Sequence, residues 1–200
     1  MRKLVYLISP GKINKKFYSN LHAVLSQGNV KFFQLRLKKT EAKKLLKIAK
    51  DIRKITFKYK VKFIINDNFN LALRVKADGC HLGQLDGSVK IAKKKLKNKI
   101  LGVTCHNSKI LAKNAIKDKV NYLAFGSFFN SKLKPNAIKA NLNILKWAKN
   151  NIKKPIVAIG GINNLNYKRL IKAGANYIAI SSFIWDNPKL KPKFAIRKFI

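Results

Sequence analysis

Short apolar runs alternate along the chain with longer segments in which apolar residues recur about every three to four positions. The runs are rich in Val, Ile, Phe and Tyr, which is typical of buried β-strands, and the longer segments have the period of amphipathic helices. Predicted strands cover residues 4–9, 30–38, 61–65, 80–82, 100–105, 122–129, 155–161 and 177–184. Predicted helices cover residues 17–26, 41–59, 69–77, 88–96, 108–119, 141–150, 166–173 and 194–200.

This alternation predicts an α/β fold of eight β-α units that forms a single domain over residues 1–200. A helix between each strand and the next favours a parallel sheet. Eight units indicate a closed (β/α)8 barrel, or TIM barrel, of minimal size. The alternative is an open doubly wound sheet, but no Gly-x-Gly-x-x-Gly segment follows the first strand.

The length of the apolar runs and the two cysteines indicate where in the cell the protein is expected. The longest apolar runs are far shorter than the ~20 residues of a membrane-spanning helix. The first residues have too short an apolar stretch for a secretory signal. Cys80 and Cys105 lie in strand-like contexts, which favours buried free thiols over a disulfide or a metal pair. We therefore expect a cytoplasmic protein with no membrane partner.

The charge balance is extreme, with 45 Lys plus Arg against 7 Asp plus Glu and a net charge of +38. Such an excess raises the hypothesis of a non-enzymatic, basic barrel that binds nucleic acid. The lysines lie on the polar sides of nearly every predicted helix, however, and do not form one stripe. That distribution favours a solvated lysine coat without a dedicated nucleic-acid site, and it should attract anionic substrates.

Two of the scarce carboxylates lie at the ends of neighbouring predicted strands, Asp67 after the third and Asp86 after the fourth. The carboxyl ends of parallel strands face the same side of the sheet, where ligands bind. The pair therefore predicts a metal site. In the alternative interpretation, Asp67 caps the following helix and Asp86 lies in a turn.

Residue alternation in the second predicted strand places Gln34, Arg36 and Lys38 on one face, opposite apolar neighbours. Inside a closed barrel these side chains would point inward and need an anion. On a solvated edge strand they would face water.

Glycine-rich turns follow the seventh and eighth predicted strands. Gly160-Gly161 and Ser181-Ser182 fit a phosphate cup of backbone N–H groups, although the glycines could simply permit a tight turn. Other polar residues are predicted at the same rim, which together could hold a metal, a diphosphate and a separate monophosphate. They are Gln34, Arg36, Lys38, Asn66, Asp67, Asp86, Thr104, Ser131 and Lys134.

An ordered set of motifs resembles the thiamine-phosphate synthase family over nearly the whole chain. The matching segments are Gln34-Leu35-Arg36-Leu37-Lys38, Asn66-Asp67, Ala77-Asp78-Gly79, His81-Leu82-Gly83-Gln84-x-Asp86, Gly102-Val103-Thr104-x-His106, Ala158-Ile159-Gly160-Gly161-Ile162 and Ile180-Ser181. Each motif alone is weak, and their order and spacing make the resemblance strong.

The resemblance implies a transferase that joins 4-amino-2-methyl-5-hydroxymethylpyrimidine diphosphate to a thiazole phosphate, or to its carboxylate form, giving thiamine phosphate and diphosphate. By resemblance, Asp67 and Asp86 would hold Mg²⁺, and Thr104 would contact the departing diphosphate. The implied ligands of the pyrimidine diphosphate are Gln34, Arg36, Lys38, Asn66 and Lys134. The implied ligands of the thiazole phosphate are Ser131, Gly161, Ile180 and Ser181. Catalysis would rest on Arg36, Lys38 and Lys134, which stabilise charge on the leaving group.

One loop departs from the family pattern. The family usually has Thr-x-Thr-Lys where this chain has Ser131-Lys132-Leu133-Lys134, so Leu133 removes one hydrogen-bonding group. The departure raises the alternative of a related thiazole tautomerase, which needs neither metal nor diphosphate and can use a histidine placed like His106. The retained carboxylates and cations favour the synthase, with His106 as a structural residue. The oligomeric state stays open, a homo-oligomer included.

Overall fold

Every neighbouring pair of strands in the protein is parallel, and the last strand pairs with the first. The structure, a computed structural model, describes residues 4–130 and 139–199. Its strands are β1 Val5–Ile8, β2 Val30–Leu35, β3 Lys62–Asn66, β4 Gly79–Leu82, β5 Ile100–His106, β6 Tyr122–Phe125, β7 Ile156–Ala158 and β8 Tyr177–Ile180. They follow one another around a closed barrel in chain order. The predicted TIM barrel is thus confirmed, and the open sheet is excluded.

Helices follow the strands around the outside of the barrel. They are α1 Lys15–Leu25, α2 Ala42–Lys58, α3 Phe69–Arg74, α4 Val89–Leu96, α5 Lys109–Lys117, α6 Leu142–Asn151, α7 Tyr167–Ala173, α8 Ser182–Trp185 and α9 Pro192–Ile196. Several begin at a side-chain cap that accepts a backbone N–H of the first turn, which accounts for their sharp starts. The capping residues are Asn14, Asn68, Ser88, Ser108 and Asn141.

Strand alternation separates two apolar layers. The larger core lies between strands and helices and includes Leu7, Phe33 and Phe63. The second lies inside the barrel. Its buried members are Tyr6, Phe32, Ile64, Tyr122, Ala124, Val157 and Ala179. The inner layer fills the lower barrel and leaves space for a ligand at the carboxyl ends of the strands, where ligands bind in this fold. Both cysteines are buried free thiols, as predicted.

Several strands end earlier than the apolar pattern predicts. The apolar pattern extends the eighth strand to residue 184, but β8 ends at Ile180 and residues 182–185 form α8. A short buried helix and a buried strand give similar apolar runs, so the pattern could not separate them. In α8 the indole N–H of Trp185 donates to Ile8 O at 2.6 Å, which fastens this helix to the end of β1.

Across residues 4–130 and 139–199, no helix combines the length and the hydropathy needed to cross a membrane.

Candidate functional site

A cavity of about 770 Å³ opens at the carboxyl ends of the strands. It brings together most of the site residues predicted from the sequence. These lining residues are Gln34, Arg36, Lys38, Asn66, Asp67, Asp86, Thr104, Gly161 and Ser181. Ile180 does not line it, because its side chain is 2% exposed and packs in the outer core. Ser131, Leu133 and Lys134 lie outside the described residues.

The two carboxylates face each other at the mouth of the cavity. Asp67 directly follows β3, and its N–H donates to His81 O on the neighbouring strand at 2.8 Å. Its φ of 64° lies in the left-handed region, which Asp tolerates better than most residues. Asp86 folds back so that Oδ2 accepts the Gly83 N–H at 2.9 Å. A Cβ at Gly83 would lie 2.5 Å from that oxygen, so a larger residue there would require the Asp86 side chain to shift.

Proximity and burial raise the pKa of Asp67 to about 6. Burial is the largest cause, followed by the hydrogen bond and the negative charge of Asp86. The positive charges of Lys38 and Arg36 act in the opposite direction and lower the pKa of Asp67. Lys38 Nζ lies 3.9 Å from Asp67 Oδ2. Two carboxylates close enough to share a hydrogen bond, as Asp67 and Asp86 are, favour either a shared proton or a bound cation.

The donor set of this pair fits Mg²⁺. Magnesium in proteins is commonly held by one or two carboxylates, with water and substrate phosphates completing the shell. In the part of the chain that the structure describes, no cluster of three or more His, Cys, Asp or Glu residues surrounds a metal-sized site. A cation at Asp67 and Asp86 would therefore draw its remaining ligands from substrate and water.

The segment after β2 carries the cationic side chains. β2 ends at Leu35, yet Arg36 and Lys38 still line the cavity beside Gln34, as the predicted alternation requires. The Arg36 N–H donates to Ser9 Oγ at 2.9 Å, and the Ser9 hydroxyl donates to Arg36 O at 3.3 Å. This reciprocal pair ties the segment to the residue after β1, so the two cations are presented from a fixed backbone.

Hydrogen-bonded side chains form the floor of the cavity. Gln34 Nε2 donates to the Tyr6 hydroxyl at 3.1 Å, which lies 2.7 Å from the Tyr122 hydroxyl. The Tyr122 hydroxyl is 2.9 Å from His81 Nδ1, and His81 Nε2 is 2.8 Å from Thr104 Oγ1. We call these five residues the floor chain. Sequence reasoning gave Tyr6 and Tyr122 no role, and their only signal was a phenol at an inward strand position.

Two glycine turns shape the opposite rim. Gly160 and Gly161 have φ of 97° and 61°, and a Cβ on either would overlap neighbouring atoms of the β6–α6 segment. Asn166 Nδ2 donates to Gly161 O at 3.1 Å, and Ser181 Oγ donates to Ser9 O at 3.0 Å. The glycines thus permit a tight turn and also line the cavity.

The two rims lie on opposite sides of the barrel. The carboxylates follow β3 and β4, and the glycine and serine turns follow β7 and β8, four strands away in a barrel of eight. One cavity can therefore hold two anionic groups at separate ends. Further lining residues went unnoticed in the sequence, because loop geometry brings them in. They are Ser127, Asn130, Asn163 and Asp186.

Comparisons with known proteins agree with this geometry. The family model described as thiamine monophosphate synthase matches residues 5–184. A thiamine-phosphate synthase from Pelagibacter ubique (strain HTCC1062) is 54% identical over 198 residues, which cover 98% of this chain and 96% of that protein. One from Erythrobacter litoralis (strain HTCC2594) is 40% identical and covers 91% of this chain and 88% of that protein.

Among solved structures, thiamine phosphate pyrophosphorylase from Pyrococcus furiosus superposes with a TM-score of 0.87 at 28% identity. The match covers 98% of this chain and 93% of that chain. The family model, the full-length relatives and the shared barrel lead to one conclusion: the chain belongs to the thiamine monophosphate synthase family.

Proposed function

We propose that the chain makes thiamine phosphate in this cavity, by joining 4-amino-2-methyl-5-hydroxymethylpyrimidine diphosphate to 4-methyl-5-(2-phosphoethyl)thiazole or its carboxylate form. One observation carries the proposal. A carboxylate pair and a glycine-serine turn face each other across a single cavity, in a member of a synthase family. The first rim suits a metal-bound diphosphate, and the second suits a monophosphate.

The carboxylate rim would bind the pyrimidine diphosphate. Asp67 and Asp86 would hold Mg²⁺, which when bound neutralises negative charge on the diphosphate. Arg36 and Lys38 line the same side and would donate to the phosphate oxygens. Gln34 and Asn66 would fix the pyrimidine end, and Lys134 would add a further cation.

In the proposed reaction the bond between the pyrimidine methylene carbon and the diphosphate oxygen breaks, and its electron pair leaves with the diphosphate. The thiazole nitrogen then donates its lone pair to the methylene carbon. No general base is needed, since no proton is lost at the reacting centre. Arg36, Lys38 and Thr104 would bind more strongly to the leaving group as its charge grows, which lowers the barrier.

Apolar walls would protect the reactive carbon. Ile8, Ala124, Val157 and Ile159 line the cavity between the two rims. They offer no nucleophile to a carbon with carbocation character, so the thiazole nitrogen would be the nearest one. Ser131, Gly161, Ser181 and the backbone at Ile180 would hold the thiazole phosphate so that this nitrogen faces the methylene.

The tautomerase alternative depends on Leu133 and His106. His106 lines the cavity, but that reaction would leave the carboxylate pair and the cations beside it without a substrate group. The full-length relatives are named synthases, which supports the synthase. Small-molecule substrates, rather than nucleic acid, are therefore the proposed partners, and the cytoplasm is the proposed location.

Diphosphate release tests the proposal directly. Purified protein with both substrates and Mg²⁺ should release diphosphate and form thiamine phosphate, and EDTA should stop both. Asp67→Asn and Asp86→Asn should each lower kcat/KM by about 100-fold or more, because a ligand worth several kcal/mol is weakened. Asp51→Asn on α2, away from the cavity, is the matched control. Isomerisation of the thiazole carboxylate phosphate without diphosphate release would establish the tautomerase instead.

A further inference from the structure

The floor chain joins two predicted substrate contacts that lie on different strands. Gln34 is at one end on β2, and Thr104 is at the other on β5. The side chains between them come from β1, β6 and β4, so the floor chain crosses the barrel interior. None of the five residues is more than 9% exposed. Most of their surface is thus buried, where hydrogen bonds between neighbouring side chains are stronger than in water.

Proton counting gives the floor chain a direction. The Gln34 amide N–H is a donor, so the Tyr6 oxygen accepts from it. Within the described residues, the Tyr6 hydroxyl has Gln34 and Tyr122 as its hydrogen-bond partners, so its own proton goes to Tyr122. Burial raises the pKa of both phenols, so each keeps its proton and can donate.

The direction continues to Thr104. Tyr122 accepts from Tyr6 and therefore donates to His81 Nδ1. Because Nδ1 accepts this hydrogen bond, the ring proton is on Nε2, which then donates to Thr104 Oγ1. Within the floor chain, the Thr104 hydroxyl oxygen therefore accepts the hydrogen bond from His81. Its own proton is left for the cavity, where it can be donated to an anion.

We propose that Tyr122 is a positioning residue that, through the tautomer of His81, orients the Thr104 hydroxyl proton toward the leaving diphosphate. The proposal rests on the proposed function for the identity of that anion. With the opposite direction, Thr104 would donate to His81 and present only lone pairs to the diphosphate. The floor chain therefore decides whether Thr104 attracts or repels the growing charge.

The packing around Tyr122 supports a specific placement of its ring. A Cβ at Gly102, on the neighbouring strand β5, would overlap the Tyr122 ring. The ring also stacks beside His81, with centroids 5.6 Å apart and planes 17° from parallel. The hydroxyl is thus held at the junction of Tyr6 and His81, so Tyr122→Phe can remove it without moving the ring.

Nitrogen NMR of the free protein tests the direction without any turnover. The chain has three histidines, and the variants His22→Asn and His106→Asn assign the His81 signals by elimination. Wild-type His81 should be neutral with its proton on Nε2, and Tyr122→Phe should give a mixture of tautomers. A proton on Nδ1, or a doubly protonated ring at pH 8, would overturn the proposal.

Kinetics test the catalytic consequence. Tyr122→Phe should lower kcat roughly 10-fold, the scale of an orienting partner, while KM for the pyrimidine diphosphate changes less than about 3-fold. In a Thr104→Val background, Tyr122→Phe should cost nothing further, since the hydroxyl it orients is absent. Independent, multiplying losses would refute the coupling. Tyr177→Phe is the control, because Tyr177 packs inside the barrel but lies outside the floor chain.

The NMR and kinetic measurements distinguish failure of the proposed function from failure of the role proposed for Tyr122. If the wild-type protein releases no diphosphate, the proposed function is wrong and the catalytic role of Tyr122 is wrong with it. The histidine tautomer is decided by NMR in either case. If diphosphate is released and the tautomer is as stated, unchanged kcat in Tyr122→Phe would overturn the positioning role alone.

Discussion

The carboxyl groups of Asp67 and Asp86 share a hydrogen bond at the mouth of the barrel, although the charges of Lys38 and Arg36 act on the same site. Two anions in contact are unfavourable in the free protein and favourable once a cation binds. The contact that favours binding of a divalent ion therefore lowers the stability of the metal-free protein. Both effects can be measured.

Asp67→Asn should stabilise the metal-free protein at neutral pH. The folded pKa of Asp67, about 6, is above its ordinary value of 3.8, so its contribution to stability is complete below pH 3.8 and is lost as the pH rises through about 6. The variant removes this loss. After a discount for partial exposure, we expect a gain of roughly 1–2 kcal/mol at pH 7.5 and almost none at pH 4.

Urea unfolding at the two pH values, with and without Mg²⁺, measures the effect. Magnesium should stabilise the wild type more than the variant, reversing their order. Asp51→Asn is the control carboxylate. An equal free energy of unfolding for wild type and Asp67→Asn at pH 7.5 without metal would contradict the expectation.

Arg36→Ala should weaken binding of the pyrimidine diphosphate far more than binding of the thiazole phosphate. Arg36 follows β2 and acts on the carboxylate rim, three strands from the glycine turn that follows β7. Loss of a buried charged hydrogen bond should cost about 2–5 kcal/mol. Calorimetric titration with each substrate at pH 8, above the Asp67 pKa of about 6, measures the difference. Lys31→Ala, at the other end of β2, is the control, and equal weakening for both substrates would argue against two anion sites.

Gly161→Ala should have the reverse selectivity. Its φ of 61° and the overlap of a Cβ with Asn130 and Phe129 mean that the turn must shift. KM for the thiazole phosphate should rise about 10-fold or more, as expected for roughly 1–3 kcal/mol of backbone strain. Affinity for the pyrimidine diphosphate should change little. Gly11→Ala has open space and ordinary φ, so it should behave like wild type; loss of both affinities in Gly161→Ala would contradict two separate sites.

Leu133→Thr should leave activity unchanged or raise it, since the family pattern places a hydroxyl there. A neutral hydrogen bond of about 0.5–1.5 kcal/mol would lower KM for the thiazole phosphate several-fold at most. Lys134→Ala should instead cripple diphosphate release, because it removes a charge from the leaving-group side. Steady-state kinetics of the two variants compare the effects, and a full-rate Lys134→Ala enzyme would remove Lys134 from the catalytic set.

Local patterns predicted the barrel and much of the candidate site. Asp67 and Asp86 could be placed together because each follows a strand in chain order, and parallel strands bring their ends to one rim. The floor chain could not be predicted, since the Tyr6 and Tyr122 hydroxyls meet across 116 residues of sequence. Ile180 was assigned to the site by its motif, but alternation turns its side chain into the outer core.

The missing side chain at Gly102 has an evolutionary consequence. The Tyr122 ring occupies the space that a Cβ at residue 102 would need. Substitutions at positions 102 and 122 are therefore coupled. A larger residue at 102 would be accepted only together with a smaller one at 122, and that exchange would also delete the phenol between Tyr6 and His81. In a library randomised at both positions, selection for folding alone should recover swapped small-large pairs. Selection for turnover should return Gly with Tyr.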